Sequence, residues 1–350
     1  MKTDWKNVIK LASVYAGVML GAGFASGQEL IQYFVRFGPL GMVGLVVSGA
    51  VLAVVGWAVM DICVRAGLNG YDEFLTLVLG KRLSKFINAV VLVFIVVLFG
   101  AMLSAAGATV SEGFGLPFSA GVIVMAIICL ITFQFGINAI IRINTILTPV
   151  FVVGSIFFIV YTLANYDTPV FSSLPGPLAA LSRSFLWAAV VYASYNIITS
   201  ISMLANMRPL VNNRKTAKYA GLLGGAIITG LGLLFALPLF MDFGNLARFE
   251  IPLLALARDH GNVVEIFYIV LLLSAIYTTA AANGYTIVSW LGKKFGRRFI
   301  PDVAVAVAGV VLAHVGFSTL VSAVFPLFGY VGLFEITVII IFFIFMKKTA

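Results

Sequence analysis

From end to end the chain alternates long apolar runs with short polar connections, and no other feature restricts so tightly what it can fold into. Read with their glycine, proline and charged punctuation, these runs place spans over residues 10–36, 40–64, 86–111, 118–138, 145–166, 184–206, 217–241, 263–291, 300–317 and 320–346. Each is close to or longer than the roughly 20 residues a helix needs to cross a hydrocarbon core. Inside that core every backbone N–H and C=O must find a partner within the segment, so runs of this length are expected as helices. Two connecting stretches, Tyr71–Leu79 and Leu246–Ala257, are expected as interfacial helices. Of 350 residues, 62% are hydrophobic and 10% charged, with a mean hydropathy of +1.11. Soluble domains carry about 25% charged residues, so this chain lacks the polar material to coat a water-soluble globule. An all-α membrane protein of about ten transmembrane helices follows, with no room for a separate soluble domain.

The positive charges support the same count. With the N-terminus inside, 18 of the 22 Lys and Arg residues fall on the cytoplasmic side. The outer side holds only Arg36, Arg183, Arg248 and Arg258. Strict alternation of ten spans produces this split, as the positive-inside bias requires. The chain is therefore expected in the cell's inner (plasma) membrane, multi-pass, with both termini cytoplasmic. The basic residues form short clusters between apolar runs, so the net charge of +9 points to topology and not to nucleic acid. The N-terminal segment has no small-residue cleavage site after a short apolar stretch, so the run from Leu11 is expected as a first span and not a signal peptide. Cys63 and Cys129 lie in or beside apolar runs and read as small core residues.

Five spans precede the loop from Tyr166 to Ser184 and five follow it. An odd number per half makes the second half enter from the opposite side, so residues 1–168 and 169–350 are expected as inverted repeats. Span 1 carries Gly17, Gly21, Gly23 and Gly27 within eleven residues. Each glycine weakens a helix by about 1 kcal/mol relative to alanine. Close packing through small residues is one reading of that cluster. The other is an unwound stretch that exposes backbone to a ligand. The polar run Ser26-Gly27-Gln28-Glu29 follows directly and favours the second reading, since packing gains nothing from it. Span 6 has its own polar interruption, Tyr192-Ala193-Ser194-Tyr195-Asn196 followed by Thr199, Ser200 and Ser202. Discontinuities at matching places in two inverted halves point to a midplane binding site.

With these features the chain resembles the amino acid–polyamine–organocation (APC) superfamily, transporters with the LeuT fold. The stretch Gly21-Ala22-Gly23-Phe24-Ala25-Ser26-Gly27-Gln28-Glu29 is similar to the opening motif of bacterial YkvI-type amino-acid permeases. The ten-span plan covers the whole chain, whereas the motif is short. The resemblance implies a LeuT-like 5+5 inverted repeat in which discontinuous helices 1 and 6 bind substrate, with coupling-ion sites nearby. In span 8, Ala275 precedes the adjacent hydroxyls of Thr278 and Thr279, like the sodium-site segment of that family. Carried over, the sodium ligands are the carbonyls of Gly17, Leu20 and Ala275 with the side chains of Thr278 and Thr279. Hard cations prefer such oxygen ligands. Hydroxyls bonded back to their own helix are the plainer alternative. Phe24 stands where relatives with a second sodium site have Asn. Span 5 has no Lys or Arg to take the place of sodium, as a lysine does in some proton-coupled relatives.

Candidate substrate residues are Gly21, Ala22, Gly23, Phe24 and Ser104 with Tyr192, Ala193, Tyr195 and Asn196. With no Lys or Arg expected near the midplane, a substrate carboxylate would use N–H groups around Ala22 and Gly23. An ammonium would use the carbonyls of Tyr192, Ala193 and Asn196. That division favours a small zwitterion. Glu29 is the ionisable residue nearest the site and reads as a proton carrier, a gating group or a structural hydrogen-bond partner. Glu335 is expected to line the outer pathway or to pair between helices, and Asp61 and Glu112 to be solvated near membrane boundaries. His260 and His314 lack metal-ligand spacing, and no nucleotide-binding, zinc-protease or nucleophile motif occurs, so no enzyme and no organic cofactor are expected. The expected function is sodium-coupled symport of an amino acid or similar small zwitterion. Proton coupling, or a solute-sensing membrane subunit that does not transport, are the alternatives. The sequence assigns no oligomeric state.

Overall fold

The computed structural model describes residues 3–19, 21–68, 70–165, 184–295 and 299–348. Among them, seven helices are long and apolar enough to cross a membrane. They are Pro39–Ala66 (span 2), Tyr71–Phe114 (containing span 3), Asn138–Ala164 (span 5), Phe185–Asn206 (span 6), Arg214–Met241 (span 7), Asn262–Gly292 (span 8) and Phe317–Lys347 (span 10). The shorter apolar helices Phe118–Gln134 and Ile300–Ala313 are spans 4 and 9. Span 1 completes the ten in three pieces, Trp5–Met19 (1a), Ala22–Ser26 (1b) and Gln28–Tyr33 (1c). The outward faces are apolar, as lipid demands: Ile146, Val153 and Phe157 of span 5 are each about two-thirds exposed.

Spans 1, 2, 6 and 7 pack on one another, and span 10 lies on spans 6 and 2. Spans 3, 4, 8 and 9 form a second group, to which span 5 is joined through span 8. Small residues make the close approaches. A side chain on Gly221 of span 7 would strike the Trp57 backbone of span 2, and one on Gly225 would strike Ala53. Tyr15 of span 1a fits against Gly56 and Gly224, where its ring replaces the missing side chains. Its hydroxyl donates to the Leu52 carbonyl at 2.8 Å. Without a hydrophobic driving force between helices in lipid, this contact area and hydrogen bonding hold the group together.

Two expectations change. Span 6 is not discontinuous: Phe185–Asn206 is one α-helix. Its polar side chains bond to their own helix, Ser194 to the Val190 carbonyl at 2.6 Å and Asn196 to the Tyr192 carbonyl at 3.0 Å. The polar run is thereby satisfied without unwinding. The second interfacial helix is Pro252–Asp259, not Leu246–Ala257, and it starts where proline sets the first helical turn. The first interfacial helix joins span 3 without a loop, across a kink at Gly80, whose φ of 77° and ψ of 163° interrupt the helix.

Candidate functional site at the break in span 1

Span 1 is interrupted twice. Between 1a and 1b the chain passes through Gly21 in an extended conformation, φ −74° and ψ −175°. Leu20, one of the expected sodium ligands, lies outside the described residues. Between 1b and 1c stands Gly27 with φ 82°, a left-handed conformation that favours glycine. A side chain there would also fall 2.9 Å from Leu253. Neighbours bond some of the carbonyls around the break. The Ser26 hydroxyl donates to the Gly23 carbonyl at 2.8 Å and accepts from the Gln28 N–H at 3.1 Å. Tyr268 of span 8 donates to the Ala25 carbonyl at 2.5 Å, which ties span 8 to the break.

On span 8 three of the expected ligand oxygens come together. The hydroxyls of Thr278 and Thr279 both donate to the Ala275 carbonyl, at 2.9 and 3.0 Å. Thr279 Oγ1 is 3.6 Å from where a Cβ on Gly21 would stand, so this cluster faces the first interruption. Each hydroxyl keeps lone pairs beyond the proton it donates. Gly17 sits against span 5, where a Cβ would meet the Thr148 methyl at 3.9 Å.

The expected substrate residues divide. Gly23 is covered by Glu29, since a Cβ at Gly23 would land inside the Glu29 carboxyl. Glu29 is buried, and the Tyr195 hydroxyl points toward its carboxyl without closing a well-formed hydrogen bond. The rings of Tyr192 and Tyr195 pack against Tyr33 at a tilt, at ring separations of 5.6 and 5.5 Å. Phe24 turns away, packing edge-on against Phe235 of span 7 at 5.4 Å. Ser104 and Ala193 are fully buried, and the Ser104 hydroxyl has no partner. The carbonyls of Tyr192 and Asn196, expected to receive an ammonium, are engaged inside the unbroken helix; Asn196 O accepts from Thr199 and Ser200 at 3.0 and 2.9 Å. Ala22 belongs to 1b through its backbone.

Tyr33, which sequence reasoning did not single out, joins the cluster because it lies four residues after Glu29 on the same helical face. Its hydroxyl donates to the Val321 carbonyl of span 10 at 3.1 Å. Gln28 Nε2 donates to Ser318 of span 10 at 2.6 Å. A cavity of about 140 Å³ lies just beyond, lined by Gln32, Tyr33, Arg36, Trp187, Val191 and Tyr330 among others, at the end expected to face outward. Elsewhere, Asp61 is buried and not solvated: it pairs with Arg65 at 2.6 Å and Arg214 at 3.2 Å, joining spans 2 and 7. Glu112 is likewise engaged, accepting from the N–H groups of Glu250 and Ile251 at 2.8 and 3.2 Å and so anchoring the loop before span 8. Glu335 is buried in span 10 with neither carboxyl oxygen hydrogen-bonded.

No family model matches the chain. It is 25% identical over 333 residues to the uncharacterized membrane protein YkvI of Bacillus subtilis (strain 168), covering 93% of this chain and 92% of that one. It is also 25% identical over 345 residues to the uncharacterized protein YyaD of the same organism, covering 98% and 99%. Among solved structures it is similar to the inward-facing conformation of Mhp1, with a TM-score of 0.67 at 16% identity over 95% of this chain and 75% of that one. The chain is therefore an all-helical membrane protein with the LeuT-type fold, similar along nearly its whole length to YkvI.

Proposed function

We propose that this chain is a secondary transporter that moves a small amine-bearing solute, an amino acid or similar zwitterion, across its membrane by alternating access. The observation that carries this reading is the interruption of span 1 facing the Ala275, Thr278 and Thr279 oxygens of span 8. Backbone that is irregular at membrane depth survives only where it is buried in protein or lines a cavity. Substrate and ion sites of transporters are built from such half-helices. The coupling ion in this reading is sodium, held by Ala275, Thr278 and Thr279 with the carbonyls of Gly17 and Leu20. One cation crossing with a potential of about 100 mV supplies about 2.3 kcal/mol.

Counterflow of amino acids into proteoliposomes, with and without sodium, tests both parts, and the Thr279 series separates an ion ligand from a packing residue. Thr278→Ala and Thr279→Ala should each weaken apparent sodium affinity roughly fivefold, because each removes a neutral oxygen worth about 1 kcal/mol. Thr279→Ser keeps the oxygen and should be mild. Thr279→Val keeps the shape and should resemble Ala. If the Ser, Val and Ala variants behave alike, or if exchange follows a pH gradient and ignores sodium, sodium is not the coupling ion. Binding without any exchange would indicate a sensor.

A further inference from the structure

Glu29 is the group the sodium site leaves unused. It is 7% exposed, and its carboxyl lies directly on the Gly23 backbone at the break in span 1. Around it stand Tyr33, Tyr192 and Tyr195, with Tyr192 and Tyr195 rings 5.5 Å apart. The Tyr192 and Tyr195 hydroxyls are buried with no hydrogen-bond partner. The ion pairs among the described residues involve Asp61 and Glu265, not Glu29. Arg36, the next cation along the chain, lies over the Phe37 ring at 4.8 Å.

We propose that Glu29 with Tyr33, Tyr192 and Tyr195 forms an ammonium-binding subsite, so that the solute must present a charged amine to this point. This deepens the transporter reading and rests on it for the route by which solute reaches the break. A buried carboxylate without a cation is costly, and a ligand that brings the missing positive charge removes that cost. Aromatic faces within about 6 Å attract an ammonium. The carboxylate and the two unpartnered hydroxyls accept its N–H bonds. A substrate carboxylate is repelled from the same place, so its end belongs on the other side of the break, toward Gly21 and Thr279. The amine thus points to Glu29, and the anionic end to the side of the break where the proposed sodium, held by the span 8 oxygens, offsets its charge. This polarity replaces the expected use of span 6 carbonyls for the amine, since the helix already engages them.

Three probes that share a carbon skeleton test the subsite: butylamine, 2-aminobutyrate and butyrate. Thermal stability of the purified full-length chain is measured against the concentration of each, since a ligand of the native state raises the midpoint. Butylamine and 2-aminobutyrate should stabilise the protein, and butyrate should not. Glu29→Gln should raise the concentration needed by about tenfold or more, as expected for losing a charge-assisted bond. Tyr195→Phe keeps the ring and should raise it by about fivefold, which gives a second readout if the Gln variant folds poorly. The proposal falls if butyrate works as well as the amines, if Glu29→Gln and Tyr195→Phe both bind the amines like wild type, or if no probe shifts the midpoint. Counterflow of 2-aminobutyrate separates this from the transporter reading. Glu29-dependent binding without exchange keeps the subsite and removes transport. Exchange that is equal in wild type and Glu29→Gln keeps transport and removes the subsite.

Discussion

Gly21, just before 1b, and Gly23, within it, stand two residues apart and face different chemistry. A methyl on Gly21 would sit 3.6 Å from Thr279 Oγ1, an ordinary contact, in a backbone conformation open to any residue. A methyl on Gly23 would land in the Glu29 carboxyl and force that side chain out. Gly21→Ala should therefore weaken sodium binding severalfold and leave the amine response intact. Gly23→Ala should do the reverse, abolishing stabilisation by butylamine while sodium still binds. Titrations of the two variants with sodium chloride and butylamine decide it, and equal losses of both responses would mean that the break is a single packing notch. The four glycines made the break legible from sequence, because few other residues leave a helix so weak. Which side chain would cover Gly23 was not legible, since it depends on 1c folding back across Gly27 at a left-handed φ of 82°.

Between elements, the same small residues set how closely helices approach. Gly332 of span 10 meets span 6 so closely that a Cβ would strike the Ser194 carbonyl, and Gly329 is pressed against Val191 one turn earlier. Backbone cannot step aside as a side chain can, so Gly332→Ala should separate spans 6 and 10 at a cost of roughly 1–3 kcal/mol or more. Gly230 of span 7 has nothing within 4 Å of its Cβ position, and Gly230→Ala should be neutral or slightly stabilising. A thermal melt of both variants checks the contrast; matched midpoints would mean that span 10 does not rest on span 6 in this way. The apolar pattern locates span 6 along with the other spans, but the break expected at its polar residues does not occur. Ser194, Asn196, Thr199 and Ser200 look like an interruption by composition, yet each closes a bond within its own helix. A polar side chain in a membrane helix can be satisfied locally or by a ligand, and spacing alone does not distinguish the two.

Across the whole molecule, the relative sidedness of the connections decides whether the span order holds, and the molecule offers a clean way to measure it. The native cysteines Cys63 and Cys129 are both free and buried, so a single added thiol dominates the reaction with a membrane-impermeant reagent. Arg248 lies in the connection between spans 7 and 8, where its side chain is exposed, hydrogen-bonds to Asn245 three residues back and lies over the Phe249 ring. Lys293 lies near the end of the helix Asn262–Phe295. A helix of 34 residues is about 51 Å long, enough to cross a hydrocarbon core of about 30 Å, so its two ends must face opposite sides. From the asymmetry of positive charge, Lys293 is expected with the cytoplasmic cluster and Arg248 outside. Arg248→Cys in intact cells should be labelled from outside, and Lys293→Cys only after the membrane is opened. Arg248 lies outside span 1, and Lys293 lies about four helical turns beyond Thr279 on the same helix, so folding and sodium response should stay as in wild type. Labelling of both from the same side would break the ten-span order, and with it the placement of span 6 as the inverted counterpart of span 1. The reverse pattern would keep the fold and turn the molecule over. The cavity bordered by Tyr33 and Arg36 would then open to the cytoplasm, and solute would meet Glu29 from inside first.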